Sequence, residues 1–300
     1  MHPDQLGISL DAVRVLIDEQ FPQWRGLPLR EVRGAGTVNA IVRIGDGLTA
    51  RFPLREGDPG AVRAELEAEA AAARELAACS PVPTPVPVAI GDPGEGYPLP
   101  WSVQTWLSGR VATPHHPAGS MAFARDLATF FGALRAVDTR GRRFTGNGRG
   151  GDLRDHDAWV RTCLRESEGL LDVPRLRALW SELRELPPAG PEVMSHHDLI
   201  PGNVLVRDGR LAGVLDGGAF GPADPALDLV AAWQLLDDTP RAELRRLLGC
   251  GDVEWERGRA RAFQQAVGLV WYYVETNPVM SELGRSTLSR VIQPPGGVDR

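Results

Sequence analysis

Residues 196–216 constrain this chain more than any other stretch. They run His196-His197-Asp198, then Pro201-Gly202-Asn203, the apolar Val204-Leu205-Val206, Asp208-Gly209, a second apolar run and Asp216. Asp-Gly between two short apolar runs is a strong hairpin signal, because both turn positions demand positive φ. A two-residue loop at Asp208-Gly209 sets Val206 opposite Leu211 and Asn203 opposite Val214. Asp216 then lies two residues further along the same sheet face, diagonal to Asn203 at roughly 7–8 Å between backbones. An amide oxygen and a carboxylate so placed converge on one hard cation, which for Mg²⁺ takes oxygen ligands at about 2.0–2.1 Å. Asp198 precedes Asn203 by five residues on the loop entering the hairpin. From there it can accept a proton from a hydroxyl held near metal-bound phosphates. Met alone, each of the three is an ordinary turn residue; order, spacing and hairpin together make a constellation.

A base, an amide metal ligand and a carboxylate metal ligand in this order form the phosphotransfer arrangement of protein kinases. The stretch resembles the aminoglycoside and macrolide phosphotransferase family, whose loop commonly reads His-Gly-Asp-x-x-Pro-Gly-Asn. That family's metal aspartate is followed by Gly-Asp-Pro-Ala-x-Asp-Leu-Ala, and this chain has Gly221-Pro222-Ala223-Asp224-Pro225-Ala226-Leu227-Asp228-Leu229. The resemblance covers nearly the whole chain. It implies Asp198 as base, Asn203 and Asp216 on Mg²⁺, His196 as support for the loop, and ATP or GTP as donor. The acceptor it implies is a hydroxyl of a small, possibly cationic molecule: an antibiotic, with an aminoglycoside first and a macrolide second. A kinase of a metabolite alcohol or sugar is the rival within the enzyme class, and a nucleotide-binding regulator with little transfer activity the rival outside it. Two departures stand out: His197 replaces the usual Gly, and Gly217-Gly218 follow Asp216 where an aromatic residue and Gly are common.

At 300 residues with 43% hydrophobic side chains the chain can bury a sizeable core in two domains or one large one. It lacks a long apolar run and an N-terminal charged-then-apolar segment, so the expectation is a soluble cytoplasmic protein, monomer or homodimer, without a membrane partner. A net charge of −6 disfavours nucleic acid. Cys79, Cys163 and Cys250 are too few and scattered for a disulfide framework. There is no lysine, so all 33 basic residues are arginine, and an Arg standing where relatives use Lys reflects that bias.

Strand-like runs at 29–33, 38–44, 48–52, 86–90 and 101–105 alternate with glycine turns, interrupted by one long helix over about 61–78. Helical periodicity dominates afterwards, at about 118–137, 155–171, 174–186, 226–237, 241–249, 253–275 and 280–292. The layout predicts an α+β, bilobal protein-kinase-like fold: a small antiparallel-sheet nucleotide lobe over 1–106, with one long helix, and a helical lobe over 107–300 carrying the catalytic loop and acceptor site.

In the first lobe, Gly34-Ala35-Gly36 lies between two strands, the context of a glycine hairpin closing over phosphates rather than of a Walker or dinucleotide loop. Arg51, on the strand 48–52, is placed for a phosphate-binding cation, and a guanidinium can hold phosphate oxygens bidentately. Val62, Leu66, Ala73 and Leu76 define an apolar stripe with Glu69 at its centre and Glu65 on its flank, which predicts an Arg51–Glu69 ion pair with Glu65 as the alternative partner. The stretch Val103-Gln104-Thr105-Trp106 resembles the interlobe connector whose backbone binds the purine; Trp101 and Trp106 suit packing equally well.

In the second lobe, Asp224-Pro225 has the form of a helix N-cap and Asp228 would tie that helix to the catalytic loop. Asp152, Asp155, Asp157, Asp237, Asp238, Glu275 and Glu282 are solvated charges or acceptor contacts, and Trp271-Tyr272-Tyr273 divide between core and pocket. His115-His116 lacks partners at metal-ligand spacing.

Overall fold

A computed structural model describes residues 6–32, 38–146 and 149–293. The chain folds as two compact units. The first comprises residues up to Ala78, Pro83–Ser108 and Asp216–Ala219; the second comprises Cys79–Val82, Gly109–Leu215 and the chain from Phe220 onward.

The first unit begins with a helix that the sequence reading passed over, α1 (Leu10–Gln20). Its signals were present: Ser9 caps the Ala12 amide, and Val13, Leu16 and Ile17 recur at helical spacing and are fully buried. Strands β1 (Leu29–Glu31), β2 (Asn39–Ile44) and β3 (Leu48–Pro53) lead to α2 (Pro59–Cys79), followed by β4 (Pro87–Gly91) and β5 (Trp101–Thr105). The five strands form one antiparallel sheet in the order β1-β2-β3-β5-β4. One face packs on α1 through Val42, Ile44, Ala50, Phe52 and Trp101. Phe52 stacks on Trp101 at 4.8 Å, and a Cβ at Gly91 would fall 2.3 Å from the same indole, so Trp101 is core. Trp106 instead packs under the Arg43 guanidinium. Strand parity turns Arg51 to the opposite face from Ala50 and Phe52.

The second unit opens with β6 (Arg110–Val111) and α3 (Met121–Arg135), capped by Ser120 on the Phe123 amide at 3.1 Å. Then come α4 (Asp157–Glu166), α5 (Val173–Leu183), β7 (Val193–Ser195), β8 (Val204–Arg207), β9 (Arg210–Val214) and β10 (Gly221–Ala223). The chain closes with α6 (Val230–Leu235), α7 (Asp238–Leu248), α8 (Asp252–Tyr272) and α9 (Pro278–Ile292). A Cβ at Gly284 would meet the Ala266 carbonyl at 2.9 Å, so α9 approaches α8 closely. The chain at 226–229, expected as helix, is turn, and α6 begins only at Val230. Burial pushes the Cys163 and Cys250 thiols up to about 11, and the three cysteines are unpaired with one another.

The β8–β9 hairpin turns on Asp208 (φ 52°) and Gly209 (φ 71°), the backbone its sequence demands. Val206 faces Leu211 as expected, but the register then shifts: Leu205 faces Gly213 and Val204, not Asn203, faces Val214. The extra residue, Ala212, is a β-bulge, which a sequence pattern of period two cannot reveal.

Candidate active site

The catalytic-loop residues are held from β7, β8 and the chain after β10. Asp228, 8% exposed, accepts the amides of His196 (2.8 Å) and His197 (3.2 Å). Two amide donors on one buried carboxylate fix the loop's entry. The buried His196 ring bridges both sides of the hairpin: Nε2 donates to the Leu215 carbonyl (2.9 Å) and Nδ1 receives the Asp198 amide (3.4 Å). That pattern requires the neutral Nε2–H tautomer. His197 has φ 71°, the left-handed region that explains why relatives place Gly there. Its Nε2 donates to the Gly221 carbonyl (3.1 Å) and its ring lies 5.8 Å from Phe144.

Asn203 Nδ2 donates to the Asp198 carbonyl (2.8 Å) and lies 3.3 Å from its Oδ2, while the Asn203 carbonyl takes the Leu215 amide at 2.8 Å. With the amide nitrogen committed to Asp198, the oxygen Oδ1 is the atom left for a cation. Asp198 is itself ion-paired to Arg149. Nothing in the sequence announced Arg149, which lies in an aperiodic Arg/Gly-rich segment between α3 and α4.

Asp224 does not cap a helix. Its Oδ2 takes Arg257 Nε (2.9 Å) and Arg261 Nη2 (3.3 Å), and Oδ1 takes the Ala226 amide (2.9 Å). Burial opposes its charge, but the Arg257 bond and that amide hold its carboxyl below the usual range.

In the first unit, Arg51 Nη2 meets Asp216 Oδ1 at 2.8 Å, replacing the Arg51–Glu69 pair that the sequence predicted. Glu69 is exposed at the edge of the α2 stripe rather than buried in its centre; Leu66, Ala70, Ala73 and Leu76 make the buried face. Helical spacing correctly set Glu69 toward that side, but a residue at the stripe's edge takes its exposure from what packs there. Glu69 still shares a groove with Arg51, lined by Ala70, Ala73, Ser102, Gln104 and Gly218. Although much of the Glu69 surface is open, desolvation of its carboxyl raises its pKa, which Arg51 counteracts and Asp216 reinforces. Asp216 itself has φ 60°, and the glycines after it lie directly on α2. A Cβ at Gly217 would fall 2.4 Å from Leu76 Cδ2, and one at Gly218 3.0 Å from Glu69 Cβ. An aromatic residue at 217 has no room.

Val103, Gln104 and Thr105 lie inside β5, between β3 and β4, with their neighbours paired on both sides. The Thr105 amide donates to Val86 and the Trp106 amide to Gly47. These two amides are thus paired within the first unit, and of the Val103 and Gln104 side chains only Gln104 turns to the groove beside Arg51; Val103, opposite Ala50, is fully buried on the α1 face. Gly34 and Gly36 lie outside the described residues. Among the described residues no group of three or more His, Cys, Asp or Glu side chains is placed to hold a metal, and no helix is long and apolar enough to cross a membrane.

The model of the phosphotransferase enzyme family matches residues 30–263. The chain belongs to this family, and it is a small-molecule kinase. Among solved structures it is similar to the GDP and kanamycin complex of APH(2")-IIia, at 19% identity and TM-score 0.69 over 94% of this chain and 98% of that one. It is also similar to the GDP complex of wild-type aminoglycoside 2'-phosphotransferase-IIIa (20%, 0.66, 92% and 96%). A third likeness is to macrolide 2'-phosphotransferase MphH from Brachybacterium faecium (21%, 0.60, 96% and 99%). The kinase-like α+β fold expected from the sequence is therefore the fold of this chain. Among curated proteins no sequence matches.

Proposed function

We propose that this enzyme transfers the γ-phosphoryl group of ATP or GTP to a hydroxyl of a small antibiotic, an aminoglycoside first and a macrolide second. The observation that carries the chemistry is the Asn203 amide, whose nitrogen is spent on Asp198 and whose oxygen is thereby aimed elsewhere. Asp198 accepts the proton of the acceptor hydroxyl as its oxygen bonds to the γ-phosphorus and the bond to the nucleoside diphosphate breaks. Asn203 and Asp216 would offer one amide and one carboxylate oxygen, hard donors that suit Mg²⁺. When bound, that ion neutralises charge on the phosphates. Arg51 and the Gly34–Gly36 turn are assigned the phosphates, and Glu69 a position beside Arg51. Gln104 is assigned the base through its side chain, and Val103, whose side chain lies in the α1-side core, supports the strand instead. The connector backbone is proposed to contact the base beyond Thr105 and Trp106, whose amides pair elsewhere. The division into a nucleotide lobe ending at 106 and an acceptor lobe from 107 belongs to this proposal. So do a cytoplasmic location, a monomeric or homodimeric state and the absence of a nucleic-acid partner.

The acceptor class is supported by the likeness to APH(2")-IIia, whose structure holds GDP and kanamycin, and to a macrolide 2'-phosphotransferase. The test is nucleoside diphosphate release from Mg-ATP and Mg-GTP across aminoglycosides, macrolides and metabolite alcohols, with Asp198→Asn as blank. Release dependent on one antibiotic class is expected. Release with metabolite alcohols alone moves the enzyme to housekeeping chemistry. Unchanged turnover in Asp198→Asn rejects Asp198 as the base.

A further inference from the structure

Arg149 is not among the residues assigned above to phosphate, metal or base, yet its guanidinium lies on Asp198 Oδ1. Its side chain is 43% exposed and that of Asp198 28%, while Oδ1 itself is buried, so solvent reaches the pair from the arginine side. Its backbone, in contrast, is clamped. Arg261, fully buried on α8, donates Nη1 to the Arg149 carbonyl (3.3 Å) and the Gly150 carbonyl (3.2 Å), and Nη2 to the Gly151 carbonyl. Asp224 balances the charge of that guanidinium. Burying an arginine is costly unless its hydrogen bonds and charge are met. Here the fold commits one to three successive carbonyls, and the residue that those carbonyls place is Arg149. The position is built into the molecule.

A carboxylate oxygen covered by a guanidinium cannot accept a hydroxyl proton, so this ion pair and proton transfer at Oδ1 exclude each other. The clamped backbone stays, and the long side chain swings away. Uncovering Asp198 leaves a carboxylate in need of a cation, and water brings none. We infer that Arg149 is a displaceable counter-cation, covering Asp198 until an acceptor with a positively charged nitrogen beside its reacting hydroxyl takes its place. This inference rests on the assignment of Asp198 as base. Its consequence is suppression of wasteful hydrolysis, in which water oxygen bonds to the γ-phosphorus, the bond to the nucleoside diphosphate breaks, and a water proton passes to Asp198 and on to solvent.

The test is release of nucleoside diphosphate and inorganic phosphate from Mg-ATP without acceptor, in the full-length enzyme and in Arg149→Ala and Arg149→Lys. Half-exposed ion pairs contribute modestly, so Arg149→Ala should raise release roughly two- to fivefold. Millimolar methylguanidinium should return it toward the starting level, and Arg149→Lys should stay near wild type. With kanamycin as acceptor, Arg149→Ala should lower KM by a similar factor, because one competitor for Asp198 is gone. Unchanged release, or a raised KM at unchanged release, overturns the inference by making Arg149 a bystander or an acceptor contact. Adding Asp198→Asn to Arg149→Ala should abolish the extra release. If Asp198→Asn alone leaves phosphoryl transfer intact, the base assignment has failed; if it abolishes transfer while Arg149→Ala changes nothing, only the counter-cation has.

Discussion

Gly217→Ala puts one methyl group where the first unit has no space for it. The new Cβ would lie 2.4 Å from Leu76 Cδ2, with the Leu76 Cγ and Cβ at 3.6 and 3.7 Å. Leu76 is fully buried on α2, so its branch end has few other rotamers to adopt. Overpacking of this kind costs about 1–3 kcal/mol. Leu76→Ala alone removes the obstructing methyl but leaves a cavity, at about 2–5 kcal/mol. In the double variant the clash is gone, and the methyl added at position 217 refills part of the cavity, worth about 0.8 kcal/mol per CH₂ buried. The double variant should therefore be more stable than the sum of the single effects by about 2–4 kcal/mol. Gly218→Ala is the milder comparison: its Cβ would meet Glu69 Cβ and Cγ at 3.0 and 3.1 Å, tight but without the 2.4 Å overlap, so it should cost less than Gly217→Ala and show no coupling to Leu76→Ala. Urea unfolding followed by tryptophan fluorescence measures all four variants. Additivity of Gly217→Ala and Leu76→Ala within about 0.5 kcal/mol would refute the claim that the glycine exists to let the Asp216 turn lie on α2.

A double-mutant cycle between Arg51 and Asp216 should give a coupling of about 0.2–1 kcal/mol, discounted because the aspartate side chain is 43% exposed. A larger coupling between Arg51 and Glu69 in nucleotide-free protein would contradict the pairing described. Arg261→Met should destabilise by about 1–3 kcal/mol, since it leaves the 149–151 carbonyls without their buried donor while Asp224 keeps Arg257; a urea midpoint within error of wild type would show the clamp to be idle. Glu69→Gln should change the pH dependence of stability. Burial raises the carboxyl above 4.5, so the stability it contributes is present below that value and lost as pH rises through the folded-state pKa. The variant should therefore gain on wild type as pH rises above the ordinary glutamate range, and parallel stability curves would remove Glu69 from the groove.

The loop at 196–203 and the hairpin after it were legible because their signals are local. Asp198, Asn203 and Asp208-Gly209 signal through spacing and turn demands, and Asp228 was expected to tie into the loop, as it does through two amides. What escaped is set by tertiary contact. Arg51 was assigned to Glu69 from one helix's periodicity, but its guanidinium chose Asp216, which lies 165 residues away and whose positive φ no pattern foretold. The bulge at Ala212 shifted Asn203 out of the expected register for the same reason. Arg149 was invisible because aperiodic segments carry no information on what they approach. The short strands β6, β7 and β10, and the turn at 226–229, fall below the length at which alternation or helical period can be read.

The absence of lysine changes what chemistry can report on the Arg51 groove. Reagents that acylate a side-chain amine beside the nucleotide phosphates, a common way to mark a kinase covalently, have no target here. Arginine-directed dicarbonyls do, and Arg51 and Arg149 present guanidinium groups to them at opposite ends of the proposed reaction. Nucleotide should shield the first and acceptor should expose the second, so one reagent would read donor and acceptor binding as changes of opposite sign.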